Sequence, residues 1–145
     1  MLLYLDTSAL VKLYVQEAYS DVVNALQQQA DVIAAHQIAF VEFHAALARR
    51  YRENDLDTST FEVLKHAFIE DWVDYLQVET DLSLLQSAAE LAEAFSLRAY
   101  DSVHLAAARH LQQHATLPLV FACFDKRLNL AAKMLGMQVI SLESA

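Results

Sequence analysis

Short runs of unbroken apolar residues alternate along the chain with longer stretches in which apolar positions recur every three or four residues. The runs Leu2–Leu5, Val32–Ala35, Tyr75–Val78, Leu119–Phe124 and Gln138–Ile140 have the length and character of buried strands. Between them, Phe61, Leu64, Phe68, Trp72 and Tyr75 form a stripe at steps of three and four, which predicts an amphipathic helix. Val41–Tyr51 and Leu82–Phe95 carry the same period. The aromatic stripe reads as core, part of it available to a dimer interface. Five strands separated by helices imply an α/β sandwich around a mainly parallel sheet of about five strands. Breaks at Asn54–Ser59, Ser96–Tyr100 and Thr116–Pro118 read as connections, and with no repeat, low-complexity tract or linker, residues 1–145 are expected to form one domain.

Composition supports a dense core: 56% of the 145 residues are hydrophobic, with a single Gly and a single Pro. No apolar run approaches the roughly 18 to 20 residues that span a bilayer, and Met1 leads straight into Leu2-Leu3-Tyr4-Leu5 without a basic leader. Neither membrane insertion nor export is expected, which leaves the cytoplasm as the default location. Cys123 stands alone in an apolar run, so the chain has no internal disulfide and no Cys-based zinc cluster; a buried, inert thiol is expected there.

Charge complicates any binding to nucleic acid. Ten Lys and Arg stand against 19 Asp and Glu, a net charge of -9, whereas nucleic-acid binders are usually basic. Any such contact must then rest on a local basic patch, on bound metal ions, or on both.

Four acids stand at positions where chemistry is expected. Asp6 ends the first strand, in Leu5-Asp6-Thr7-Ser8-Ala9-Leu10, and Asp125 follows the fourth, in Phe124-Asp125-Lys126-Arg127-Leu128. In an open parallel sheet, ligands gather at the carboxyl ends of strands. Asp101 opens the predicted helix Asp101-Ser102-Val103-His104-Leu105-Ala106-Ala107, and Glu42 interrupts the apolar segment Ile38-Ala39-Phe40-Val41-Glu42-Phe43. Helix capping alone accounts for the three aspartates, since Asp is a favoured N-cap, and Glu42 suits a solvated helix face equally well. Both readings stay open on pattern. If the four converge, a cation is required, because two carboxylates about 4 Å apart repel by roughly 4 kcal/mol at an effective dielectric of about 20. Oxygen-only ligands suit Mg²⁺, or Mn²⁺ as a substitute, and the chemistry implied is in-line hydrolysis of a phosphodiester.

Taken in order, these segments resemble the PIN domain, and more narrowly the VapC-type toxins of prokaryotic toxin–antitoxin pairs. Asp6-Thr7-Ser8-Ala9-Leu10-Val11-Lys12 is similar to the family's opening motif and Ala39-Phe40-Val41-Glu42 to its second acid. Leu97-Arg98-Ala99-Tyr100-Asp101-Ser102-Val103-His104-Leu105-Ala106 resembles the third, and Phe124-Asp125-Lys126-Arg127-Leu128 the fourth. The resemblance runs almost end to end and implies a three-layer α/β/α fold. It further implies that Asp6 and Asp101 are the principal metal ligands, that Glu42 and Asp125 complete the site directly or through water, and that Thr7 or Ser8 supports them. The implied activity is that of an endoribonuclease acting on tRNA, ribosomal RNA or messenger RNA, commonly a homodimer, silenced by a cognate antitoxin that occupies the site. One departure concerns Ser96, where relatives often carry Gly before the Leu-Arg pair; Ser tolerates a positive φ less well, which puts the local loop shape in question.

Other chemistries find less support. The six histidines lack a two-His motif with an intervening Glu, and His110 and His114, at i and i+4, fall on a polar helix end. His104, one turn after Asp101, either orients a carboxylate or water or is simply structural. Gly136, the only glycine, cannot build a phosphate loop, and an aspartyl phosphatase would want a second Asp where Ser8 stands. Lys12, Arg98, Lys126 and Arg127 are the cations nearest the motifs and the candidates for phosphate contact. Two functions outside the toxin reading remain: a housekeeping RNA-processing PIN nuclease, and a PIN-fold module that binds RNA or a partner without cleaving.

Overall fold

Alternation within the first strand sets the layers. In β1 (Leu2–Leu5) all four side chains are buried; Leu2 and Tyr4 join one hydrophobic cluster, Leu3 and Leu5 another on the opposite face. A strand buried on both faces belongs at the centre of a sheet. In the computed structural model, which describes residues 1–142, β1 pairs in parallel with β2 (Val32–His36) and with β4 (Leu119–Ala122). The short strands β3 (Leu76–Val78) and β5 (Gln138–Val139) form the edges, giving the order β3-β2-β1-β4-β5 with every described ladder parallel. Residues 143–145, included in the one-domain expectation, lie outside the described residues.

Helices cover both faces and complete a three-layer sandwich. On one side, α1 (Thr7–Tyr14), α2 (Ser20–Gln29), α3 (Ile38–Arg52) and α4 (Thr58–Trp72) enclose a core rich in aromatic rings, in which Phe43 stacks on Phe68 with ring centroids 3.9 Å apart. The Phe/Trp stripe is therefore core, as expected: Phe68 and Trp72 are buried, Phe61 and Leu64 partly so. On the other side, α5 (Leu82–Phe95), α6 (Ala99–His114) and α7 (Lys126–Met134) pack small and aliphatic residues such as Ala88, Ala107 and Leu128 against the sheet. No helix among the described residues is long and apolar enough to cross a membrane.

Several local details differ from the pattern: Ile140 falls outside β5, and Thr58, Ser59, Ala99 and Tyr100, expected in connections, begin α4 and α6. Tyr75 is outside β3, its N–H donating to the Trp72 carbonyl in the turn that ends α4. β4 stops at Ala122, so Cys123 and Phe124 leave the sheet on the way to Asp125. Cys123 is buried as expected, and burial pushes its thiol well above the usual range. Ser96 does adopt the left-handed backbone, at φ 54° and ψ 46°, closing α5 with N–H bonds from Ser96 and Leu97 to the Ala92 carbonyl. The loop shape questioned at this residue is kept, with Ser in a conformation that favours Gly.

Candidate active site

The chain runs from β1 outward to β2 and β3, then crosses back to β4 and on to β5, so the crevice at the carboxyl ends of β1 and β4 is the topological switch point. Asp6 and Asp125 stand at that crevice and both cap helices. Asp6 Oδ1 accepts the Ala9 N–H at 2.9 Å and the Ser8 hydroxyl at 2.7 Å, while Asp125 Oδ1 accepts the Leu128 N–H at 2.9 Å. Capping thus explains one oxygen of each and leaves Oδ2 for other work. Asp101 is different: α6 begins two residues earlier and is capped by Arg98 without a side-chain bond, so Asp101 lies within the first turn and caps nothing. Glu42, on the first turns of α3, is half-buried rather than on a solvated face.

All four carboxylates line one pocket of about 280 Å³, together with Thr7, Ser8, Arg98, His104 and Phe124. A larger hollow of about 750 Å³ lies between β3, α5 and α6, but none of the four acids reaches it. Chemistry, not size, makes the smaller one the candidate site.

Behind the acids runs a buried polar chain. His104, only 2% exposed, turns Nε2 to Glu42 Oε1 at 2.9 Å and Nδ1 to the Tyr4 hydroxyl at 2.9 Å. Because an ionised carboxylate only accepts, Nε2 carries the hydrogen. Thr7 donates its hydroxyl to the same Glu42 oxygen at 2.8 Å. His36, stacked edge-on against His104, accepts the Ile38 N–H on Nδ1 and pairs Nε2 with Thr80. Of the two roles open to His104, orienting a carboxylate is the one its contacts describe. Its spacing from Asp101 hinted at that; Tyr4 and Thr7 as partners were not foreseen.

Environment separates the acids electrostatically. Burial raises the Asp6 carboxyl above its usual range, a rise that His104, the Ser8 hydroxyl and the Ala9 N–H only partly oppose and that Asp101 reinforces. Burial would raise Glu42 as well, but the hydrogen bond and charge of His104, with the Thr7 hydroxyl, bring it below. Burial together with His104 lowers His36 to about 4, so this ring is neutral.

Arg98 brings a cation to two of the acids. Its guanidinium, 79% exposed, reaches Asp101 Oδ2 at 2.9 Å and Asp125 Oδ2 at 3.7 Å, placing a cation between two of the acids. The other three candidate cations are elsewhere: Lys12 is paired with Glu17, Arg127 donates to the Ser96 carbonyl, and Lys126 is exposed. Among the described residues no three His, Cys, Asp or Glu side chains close on a single point as they stand. The donor set nevertheless fits a hard divalent ion: all oxygen, with Asp6 raised by burial and two of the acids already drawn to the Arg98 guanidinium.

A PIN domain model matches residues 3–134, and the chain belongs to that family, a nuclease fold whose members generally depend on divalent metal. Within it the chain groups with the VapC ribonucleases. Ribonuclease VapC45 of Mycobacterium tuberculosis is 35% identical over 138 residues, covering 95% of this chain and 94% of the relative. Among solved structures, VapC20 of Mycobacterium tuberculosis, a sarcin-ricin loop cleaving toxin, superposes with a TM-score of 0.67 at 16% identity, covering 89% and 94% of the two chains. VapBC2 from Rickettsia felis, bound to a DNA fragment from their promoter, gives 0.62 at 11% identity, covering 97% and 98%. These likenesses confirm the expected fold.

Proposed function

We propose that the chain is a Mg²⁺-dependent endoribonuclease, with Mn²⁺ as a workable substitute, and the toxin of a VapBC-type pair acting in the cytoplasm as a single domain. The carrying observation is the arrival of Asp6, Glu42, Asp101 and Asp125 from four separate segments in one pocket at the switch point. Asp6 and Asp101 would hold the ion, with Glu42 and Asp125 completing the site directly or through water. The ion supplies Lewis acidity at the phosphate and a more acidic water.

The chain's own residues do the rest. Thr7 and His104 both occupy Glu42 Oε1, which fixes the carboxylate and keeps Oε2 for other partners. Asp6 and Asp125 are aimed by their own caps, each held through one oxygen by a helix N–H. Arg98, once it leaves Asp101, is placed to neutralise a phosphate oxygen of the RNA. An in-line attack by water on the phosphorus then breaks the P–O bond to the leaving strand; the water gives up a proton to solvent and the departing oxygen takes one up, so the strand leaves with a free hydroxyl. A cognate antitoxin that seats a cation among these acids would silence the enzyme, and the chain is expected to work as a homodimer.

The test is cleavage of structured RNAs by wild-type, Asp6→Asn and Asp101→Asn proteins, with Mg²⁺, with Mn²⁺ and with chelator. Cleavage by the wild type alone, and only with metal, is expected; equal cleavage by all three proteins would overturn the four-acid site. Rescue of growth by a short adjoining reading frame on co-expression separates a toxin from a housekeeping nuclease.

A further inference from the structure

We propose that Tyr19 and Phe124 form a stacking subsite for one unpaired nucleobase of the RNA beside the four carboxylates, an inference that rests on the ribonuclease reading and deepens it. Phe124 immediately precedes Asp125 and lines the same pocket. The Tyr19 ring stacks on it, centroids 5.3 Å apart and planes 28° from parallel, and Lys12 Nζ stands 4.6 Å from the Phe124 centroid. Ring surface therefore continues outward from the acids by one aromatic step and ends on Tyr19, which is 45% exposed.

The loop that presents Tyr19 is braced. Tyr19 holds a left-handed backbone, φ 69° and ψ 6°, a conformation that costs free energy in an aromatic residue. Ser20, fully buried, sustains it by donating its hydroxyl to the Val15 carbonyl and accepting the Glu17 N–H, both at 3.0 Å. Glu17 in turn pairs with Lys12 and Arg50. Val22 and Val23 then donate their N–H groups to the Tyr19 carbonyl. A ring held outward on a rigid loop loses little freedom when a flat ligand lands on it.

Charge explains why such a surface is needed. With a net charge of -9 the protein as a whole repels an RNA backbone, whereas most single-strand binders rely on positive charge. Stacking on an aromatic face adds affinity without charge and suits any unpaired base.

The experiment measures binding, not cleavage. A short single-stranded oligoribonucleotide carrying 2-aminopurine at successive positions is titrated with protein, with Ca²⁺ replacing Mg²⁺ and its integrity checked afterwards. Quenching at one position is expected with wild-type protein. Tyr19→Asn, chosen because Asn tolerates the left-handed backbone, should lose the quench and bind about 5- to 100-fold more weakly. That loss should be the same at low and high salt, because no phosphate contact is removed. Tyr19→Phe should bind like wild type, and thermal melts followed by Trp72 fluorescence show that each variant is folded. No quench at any position, wild-type affinity in Tyr19→Asn, or a loss that vanishes at high salt would each overturn the subsite. Because cleavage is not scored, the subsite can fail while Asp6→Asn still abolishes activity, and the reverse.

Discussion

Replacing His36 with Asn should make the stability of the fold less dependent on pH between about 4 and 6.5. The ring is 3% exposed, and its Nδ1 accepts the Ile38 N–H at 2.9 Å, so the single hydrogen of the neutral imidazole sits on Nε2, donated to Thr80 at 2.8 Å. Burial, and then the neighbouring His104, bring its pKa to about 4 from the ordinary 6.5. An unfolded chain takes up this proton near pH 6.5, the folded chain only near 4, so the unfolded state binds more protons in between. Stability from this group is complete above 6.5, declines as pH falls through that window, and is gone below about 4. At about 1.4 kcal/mol per pH unit the whole loss is about 3 kcal/mol. Asn can accept from Ile38 but cannot titrate. Urea unfolding followed by the single tryptophan, Trp72, buried against Phe40 and Phe68, provides the assay. The wild-type advantage over His36→Asn should shrink by about 3 kcal/mol between pH 6.5 and 4. A constant difference across that range would refute the neutral buried ring.

Arg98→Gln should bind Mn²⁺ more tightly than wild type, since no guanidinium then competes for Asp101 and Asp125; calorimetric titration without RNA checks this. Asp125→Ala should lose about 1 kcal/mol of stability along with activity, whereas Asp125→Asn keeps the cap on α7 and loses activity alone, a separation read from urea midpoints and cleavage rates. Ser96→Gly should stabilise the fold by about 1 kcal/mol, seen as a rise in Tm, because the left-handed conformation is already in place.

The central strands were legible because burial on both faces erases polar alternation, so Leu2–Leu5 and Leu119–Ala122 stand out as unbroken apolar runs. Tyr75 misleads by the same token: it is apolar and adjoins a strand, yet its ring packs edge-on against Trp72 on the helical side. The acids could be located from their places after strands, but not sorted, since the start of α6 at Ala99, which removes Asp101 from a capping role, depends on a two-residue turn anchored by Ser96. His104 was visible only as a neighbour of Asp101. Its partners Tyr4 and Glu42 lie 100 and 62 residues away in the chain, and no local pattern reports a contact made through the sheet. Lys12 illustrates the converse, a cation close in sequence to the first acid that tertiary structure commits to Glu17 and Phe124.

The pairing of Leu2–Leu5 with Leu119–Ala122 has a consequence in time as well as in space. Parallel strands so far apart can meet only after a large loop has closed, the slowest kind of contact for a chain to make. Until they meet, Asp6 and Asp125 belong to different parts of an open polymer. Cleavage should therefore return in the last phase of refolding, after helix signal has recovered. During synthesis the growing chain would thus stay inactive for most of its length, and become a working nuclease only once β4 is available to dock.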